Sequence, residues 1–222
     1  MTARQLNSVL ERQAKTLLDS GFHALCGVTQ ADFLTSVEGL ASSLDSAGEI
    51  PTSGNIPLCV AFRPGLVSLA DAMARIEAKS ATGVVEMTPL SPDAFHVIDR
   101  IHLPRGEFYL LLDIDTGRDL LNVSPEESLA IIERRSRTPL TMEEGVALTM
   151  QHPELLTDKK NYNCIQMAGS RKAGDQRIPS IWFSKGRPRL GWCWDRNVHT
   201  WLGSASAALR LGGAKVSVGL AA

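Results

Sequence analysis

EFYLLLDID, Glu107 to Asp115, is the strongest strand signal in the chain, and it ends in two aspartates. Its apolar residues are consecutive rather than alternating, as a strand covered on both faces requires, so it predicts the centre of a sheet. IPLCVAF (Ile56 to Phe62) is a second buried-type strand. GVVEM and HVIDRIHL, from Gly83 and His96, read as further strands. Between them Pro64 and Gly65 precede a helix near Ser68, with Leu69, Ala72, Met73 and Ile76 on one face.

Outward toward the N-terminus, Leu6, Val9, Leu10, Leu17 and Leu18 recur at helical spacing before Gly21. A second helix follows Thr29, whose T-x-x-D pattern with Asp32 caps a first turn. SSLDSAGEIPTSGN then loses periodicity and reads as a loop. Toward the C-terminus, Ser124-Pro125-Glu126-Glu127 combines an N-cap, a proline at the first helical position and a capping-box glutamate. Thr141-x-x-Glu144 repeats the device, giving two helices joined by RRSRTP. Beyond Pro153, NCIQMAG, RIPSIWFS and RPRLGWCW are short β-prone runs that predict an antiparallel meander, and SASAALRL reads as a last helical piece. The expected class is α+β: a helical extension over 1–55, one α+β domain over 56–212 with a strand-rich C-terminal part, and a tail over 213–222.

Composition narrows the function classes. A chain of 222 residues, 44% hydrophobic, can bury a sizeable core. The polar start and the lack of a long apolar run predict a soluble cytoplasmic protein that does not engage a membrane. Cys26, Cys59, Cys164 and Cys193 are too scattered for a disulfide scaffold or a zinc ribbon, and no G-x-G-x-x-G or phosphate-loop spacing occurs, so neither a metal nor an organic cofactor is expected. The net charge of −1 hides an asymmetry: 13 Lys and Arg against 22 Asp and Glu up to Lys159, then 10 against 2. The bland explanation, that the two parts attract each other, is preferred to an anion-binding face.

Three segments carry candidate chemistry. In DIDTGRDLLN, Asp113 and Asp115 share a strand face if the strand continues through both, and such a pair could hold a cation or act as an acid pair; the preferred reading is an Asx-turn at Asp115 with Asp113 bound to an arginine such as Arg118. In GSRKAGDQRIP, Arg171 and Arg177 suit a carboxylate or phosphate, or an exposed hairpin turn. In GWCWDRNVHTWLG, alternation puts Trp192 and Trp194 on one face and Cys193 on the other, a platform that either stacks a planar ligand or is core. His199 is the first acid–base candidate there, with Asp113 or Asp115 as its orienter. Cys193 or Cys164 with His199 is a lesser nucleophile option. Arg118, Asn122, Arg171, Arg177, Trp192, Trp194, Asn197 and Trp201 complete the expected substrate-binding set.

These same motifs, D-x-D-T-G-R from Asp113 with Asn122, PLTMEEGVAL from Pro139, G-S-R from Gly169 with Arg177, and LGWCW followed by N-x-HTWLG, resemble an uncharacterised bacterial family of unknown function, domain family 5701. The similarity runs from about Ile56 to Arg210 and implies one globular module without an assigned activity. The chain departs from the family pattern at Val198, where proline is usual, and at Lys172 and Ala207, where cysteines are common. The leading expectation is an enzyme or ligand-binding relative doing acid–base chemistry (hydrolysis, dehydration or cyclisation) on a polar planar or anionic metabolite, the three segments meeting at one cleft. The alternative is a nucleic-acid-binding module built on the basic, tryptophan-rich end. Self-association is compatible with either.

Overall fold

The computed structural model describes residues 1–46, 50, 52–157 and 164–213. In chain order the elements are α1 (Ala3–Asp19), α2 (Phe22–Leu25), α3 (Gln30–Glu38), α4 (Ala41–Ser46), β1 (Ile56–Phe62), α5 (Leu69–Met73), β2 (Glu77–Ala78), β3 (Ala81–Thr82), β4 (Val84–Val85), β5 (His96–Val97), β6 (Phe108–Asp115), α6 (Pro125–Arg134), β7 (Thr138–Pro139), α7 (Met142–Gln151), β8 (Cys164–Gln166), β9 (Ser170–Arg171), β10 (Arg177–Ser184), β11 (Arg187–Trp194), β12 (Leu202–Ser204) and β13 (Ser206–Gly212). The class is α+β.

The apolar run of β6 does lie inside a sheet, in the order β1-β6-β13-β7, with Leu110 to Leu112 and Ile114 fully buried. A second sheet runs β12-β8-β10-β11-β4. The expected meander is only partly present. β8, β10 and β11 are antiparallel neighbours, but β12 joins β8 in parallel and β11 joins β4 in parallel. HVIDRIHL shrinks to the two residues of β5, which pair with β9. SASAALRL is not a helix: it supplies β13, because β6 needs a partner on its second edge and that pairing overrides the helical preference of alanine and leucine. Part of the expected loop SSLDSAGEIPTSGN is α4, which buries Leu44. Residues 47–49 and 51 of that loop, and the expected tail beyond Gly213, lie outside the described residues.

The capping devices hold. Thr29, Ser124 and Thr141 each accept the amide three residues on, and the last two form complete capping boxes with Glu127 and Glu144. Helix α7 is buried on every side, from Met142 to Gln151. Gly145 stands in it because a Cβ there would collide with the Met167 side chain. The N-terminal helices contribute Leu6, Leu10, Leu17, Phe22 and Phe33 to the same hydrophobic cluster as β1, β6 and α7. Among the described residues no helix is long and apolar enough to cross a membrane.

One buried polar knot ties this core together. Glu144 accepts from Tyr109 (2.8 Å), from Arg210 Nε (2.6 Å) and Nη2 (2.7 Å), and from the Thr141 amide (2.7 Å). Arg210 also reaches the Thr138 hydroxyl and the Pro139 carbonyl. Burial, and then the neighbouring Glu144 carboxylate, hold the Tyr109 phenol protonated far above its ordinary range. The charge asymmetry of the sequence resolves in the same way: Arg189 pairs with Glu86, Arg196 with Glu126 and Arg210 with Glu144, basic residues of the C-terminal part on acids of the rest.

Candidate functional site

The acid pair does not form. Asp113 adopts a positive φ of 52° and turns into the interior, where Arg137 reaches its carboxylate at 2.6 Å, Ser53 donates at 3.0 Å and the Gly54 amide at 2.5 Å. Burial alone would raise its pKa; the Gly54, Arg137 and Ser53 bonds outweigh burial and hold it below the usual carboxylate range. Asp115 instead accepts the Gly117 amide at 2.8 Å, an Asx-turn, and lies 3.6 Å from Arg135. The arginine that binds Asp113 is therefore Arg137, not Arg118, which is exposed on the 3₁₀ turn Arg118–Leu120. Neither aspartate has a hydrogen bond to His199.

The tryptophan segment is assembled differently from expectation. Trp192 is half-buried and donates to the Met87 carbonyl at 3.0 Å; Trp194 and Trp201 are 40% and 43% exposed. Trp192 and Trp194 meet edge-on at 5.3 Å, so they make no flat platform. The Arg177 guanidinium lies against both, 4.7 Å and 4.8 Å from the ring centroids, and is bound to Asp175 at 2.6 Å. Arg171 is bound to Asp195 at 2.8 Å. Both arginines expected to hold a substrate anion are thus occupied by carboxylates of the chain.

His199 is fixed through backbone and ring. Its carbonyl accepts the amide of Asn122, a residue in the left-handed region at φ 64° that asparagine tolerates, and its Nε2 lies 3.4 Å from Cys193 Sγ. Its ring packs 5.1 Å from Trp201. Asn197 is exposed in the turn whose amide donates to Trp194. The structure does bring Cys193 and His199 together as expected, just as it brings Arg177 against Trp192 and Trp194. Burial raises the Cys193 thiol above its ordinary value, and Cys164, sealed in β8, is raised well above it by burial and then by Cys193. Both cysteines are held as thiols, the form that is not nucleophilic. Among the described residues, no group of three His, Cys, Asp or Glu gathers in a way that could hold a metal ion.

A different place has the properties of a site. A cleft of about 490 Å³ lies between the loop after β1, the start of α5, the 3₁₀ turn Pro92–Ala94 with β5, and the start of α7. Its position follows from local chemistry. Ser170 of β9 accepts the Met142 amide at 2.9 Å, and β9 pairs with β5, setting His96 opposite Arg171; the first turn of α7 and His96 therefore border one hollow. Phe95, Leu69, Val67 and Met142 supply apolar wall, and Asp93, His96 and Glu143 supply titratable groups.

Glu143 is the anomaly. It is 7% exposed, and its Oε2 is buried with no hydrogen-bond partner among the described residues. Burial pushes its carboxyl up to about 7, with Glu144 adding to the rise against the lowering effect of its own amide and the Thr141 hydroxyl. Reading the sequence missed it because E-E at a helix start is explained by the capping box, which uses only Glu144. The available signal was that EEGVALTM leaves α7 without a polar face, so the second glutamate has no route to water.

The chain matches, over residues 16–213, the model of a family of unknown function, DUF5701, and it belongs to that family. No curated protein and no solved structure matches it.

Proposed function

We propose that the protein is a small-molecule enzyme working by proton transfer, and that its acid–base group is Glu143 rather than His199. The observation that carries this is a buried carboxyl, one oxygen of which has no partner among the described residues, on a residue that lines a ligand-sized cleft. A carboxyl that titrates near neutrality can give and take a proton in one cycle, the property an acid–base catalyst needs at cellular pH. His96 borders the same hollow and is the natural second group, receiving or returning the proton from the mouth. The reaction class remains hydrolysis, dehydration or cyclisation.

The exposed indoles of Trp194 and Trp201 are the feature that favours nucleic-acid binding. Against it, Arg171, Arg177, Arg189 and Arg196 each carry a carboxylate partner, so these four arginines are already engaged by the protein's own acids. The metabolite reading is supported by a cleft; the nucleic-acid reading is supported only by a surface.

The test is depletion of small molecules from a cell extract, followed by mass spectrometry. The wild-type protein is expected to consume at least one compound, and Glu143→Gln to slow that consumption by roughly 10²–10⁴-fold while keeping its fold. Equal consumption by both proteins, or none by either, contradicts the proposal.

A further inference from the structure

Resting on the reading of Glu143 as the acid–base group, we infer that the cleft takes a protonated amine on an apolar or aromatic body, its ammonium donating to the Glu143 carboxyl. Four observations converge on this class. Among the described residues the buried Oε2 has no donor and Glu143 lines the cleft, so a ligand N–H at its carboxyl would supply one. Neither lysine nor arginine among the described residues lines the cleft, whereas Asp93 and Glu143 both do, so the local charge favours a cation. Phe95, Leu69, Val67 and Met142 form a wall suited to an apolar body, with one aromatic residue, Phe95, among them.

The fourth observation concerns the start of α7, which would ordinarily attract an anion through its free amides. Those amides are taken. Thr141 N–H donates to Glu144 at 2.7 Å, Met142 N–H to Ser170 at 2.9 Å, Glu144 N–H to Thr141 at 3.3 Å, and the amide of Glu143 serves its own carboxyl. An anion entering the cleft would therefore find no free amide at the start of α7. The expectation of an anionic substrate depended on Arg171 and Arg177, and both are engaged by the protein's own acids.

Three probes of matched shape separate the charge classes: phenethylamine, 3-phenylpropionate and 2-phenylethanol, titrated calorimetrically at pH 8. Phenethylamine is expected to bind roughly tenfold or more tightly than either of the others, and Glu143→Gln to erase the preference. Ala70 is exposed at the rim, so Ala70→Lys leaves the fold intact while placing a like charge at the entrance; it should weaken amine binding several-fold. The inference is overturned if the carboxylate or the alcohol binds as well as the amine, if the amine does not bind, or if neither substitution changes amine binding. The two proposals fail separately. Consumption that depends on Glu143 without an amine preference removes the amine and keeps the acid–base role; an amine preference in a protein that consumes nothing does the reverse.

Discussion

Replacing Arg210 by alanine is expected to destabilise the protein by about 3–5 kcal/mol, the cost of leaving one partner of a buried pair unpaired. Glu144 is wholly buried, and Arg210 supplies two of its four hydrogen bonds; Tyr109 and the Thr141 amide cannot compensate a full negative charge. Arg210 also links β13 to β7 through Thr138 and Pro139, so its loss loosens the edge of the first sheet. Urea unfolding measures the effect. Arg210→Met combined with Glu144→Gln should lose less than Arg210→Met alone, since removing both charges spares the desolvation of either. A loss under about 1 kcal/mol in Arg210→Ala would show that the knot is not a stabilising unit.

The second large effect is a pH-dependent gain from Glu143→Gln. The unfolded chain releases the Glu143 proton near its ordinary pKa of 4.5, while the folded protein keeps it up to about 7. Between those values the folded state holds more protons, so the wild type loses stability as pH rises, and the loss is complete above about pH 8. The glutamine variant has no such loss. Its stability relative to wild type should therefore rise by about 3 kcal/mol between pH 4.5 and pH 8.5, whatever the constant offset from its amide. The charged and titratable groups facing Glu143 are Glu144 on its own helix, Tyr109 beneath and Asp93 and His96 across the cleft. Glu144 and Tyr109 feel the Glu143 charge, so the difference curve reports that carboxyl together with its coupling to them. Parallel pH profiles for the two proteins would contradict the account.

How far the sequence could be read varies with the kind of information each segment holds. β6 was legible because a strand buried on both faces leaves its mark in consecutive residues, Phe108 to Leu112. The caps at Thr29, Ser124 and Thr141 were legible because both halves of each device lie within four residues. SASAALRL was misread because its local preference is helical while its fate is set by an unpaired edge of β6 distant in sequence.

The site was harder for the same reason. The wealth of polar and aromatic residues around Trp192 is plain in the sequence, but whether Arg171 and Arg177 are free depends on Asp195 and Asp175, which satisfy them. The cleft is built from Val67, Val85, Phe95 and Glu143, four positions with no shared motif. Only Glu143 could have been found by local reasoning, as the glutamate a capping box leaves over on a helix without a wet face.

The central claim is that Glu143 is a carboxyl held near neutrality in a ligand-ready cleft, and titrating its side-chain carboxyl carbon by ¹³C NMR tests it most directly, with the signal assigned by its disappearance in Glu143→Gln. A midpoint close to pH 7 is the result the structure requires. A midpoint at or below the ordinary 4.5 would mean that the carboxyl is solvated or paired, and the proposed chemistry would lose its acid and its base together.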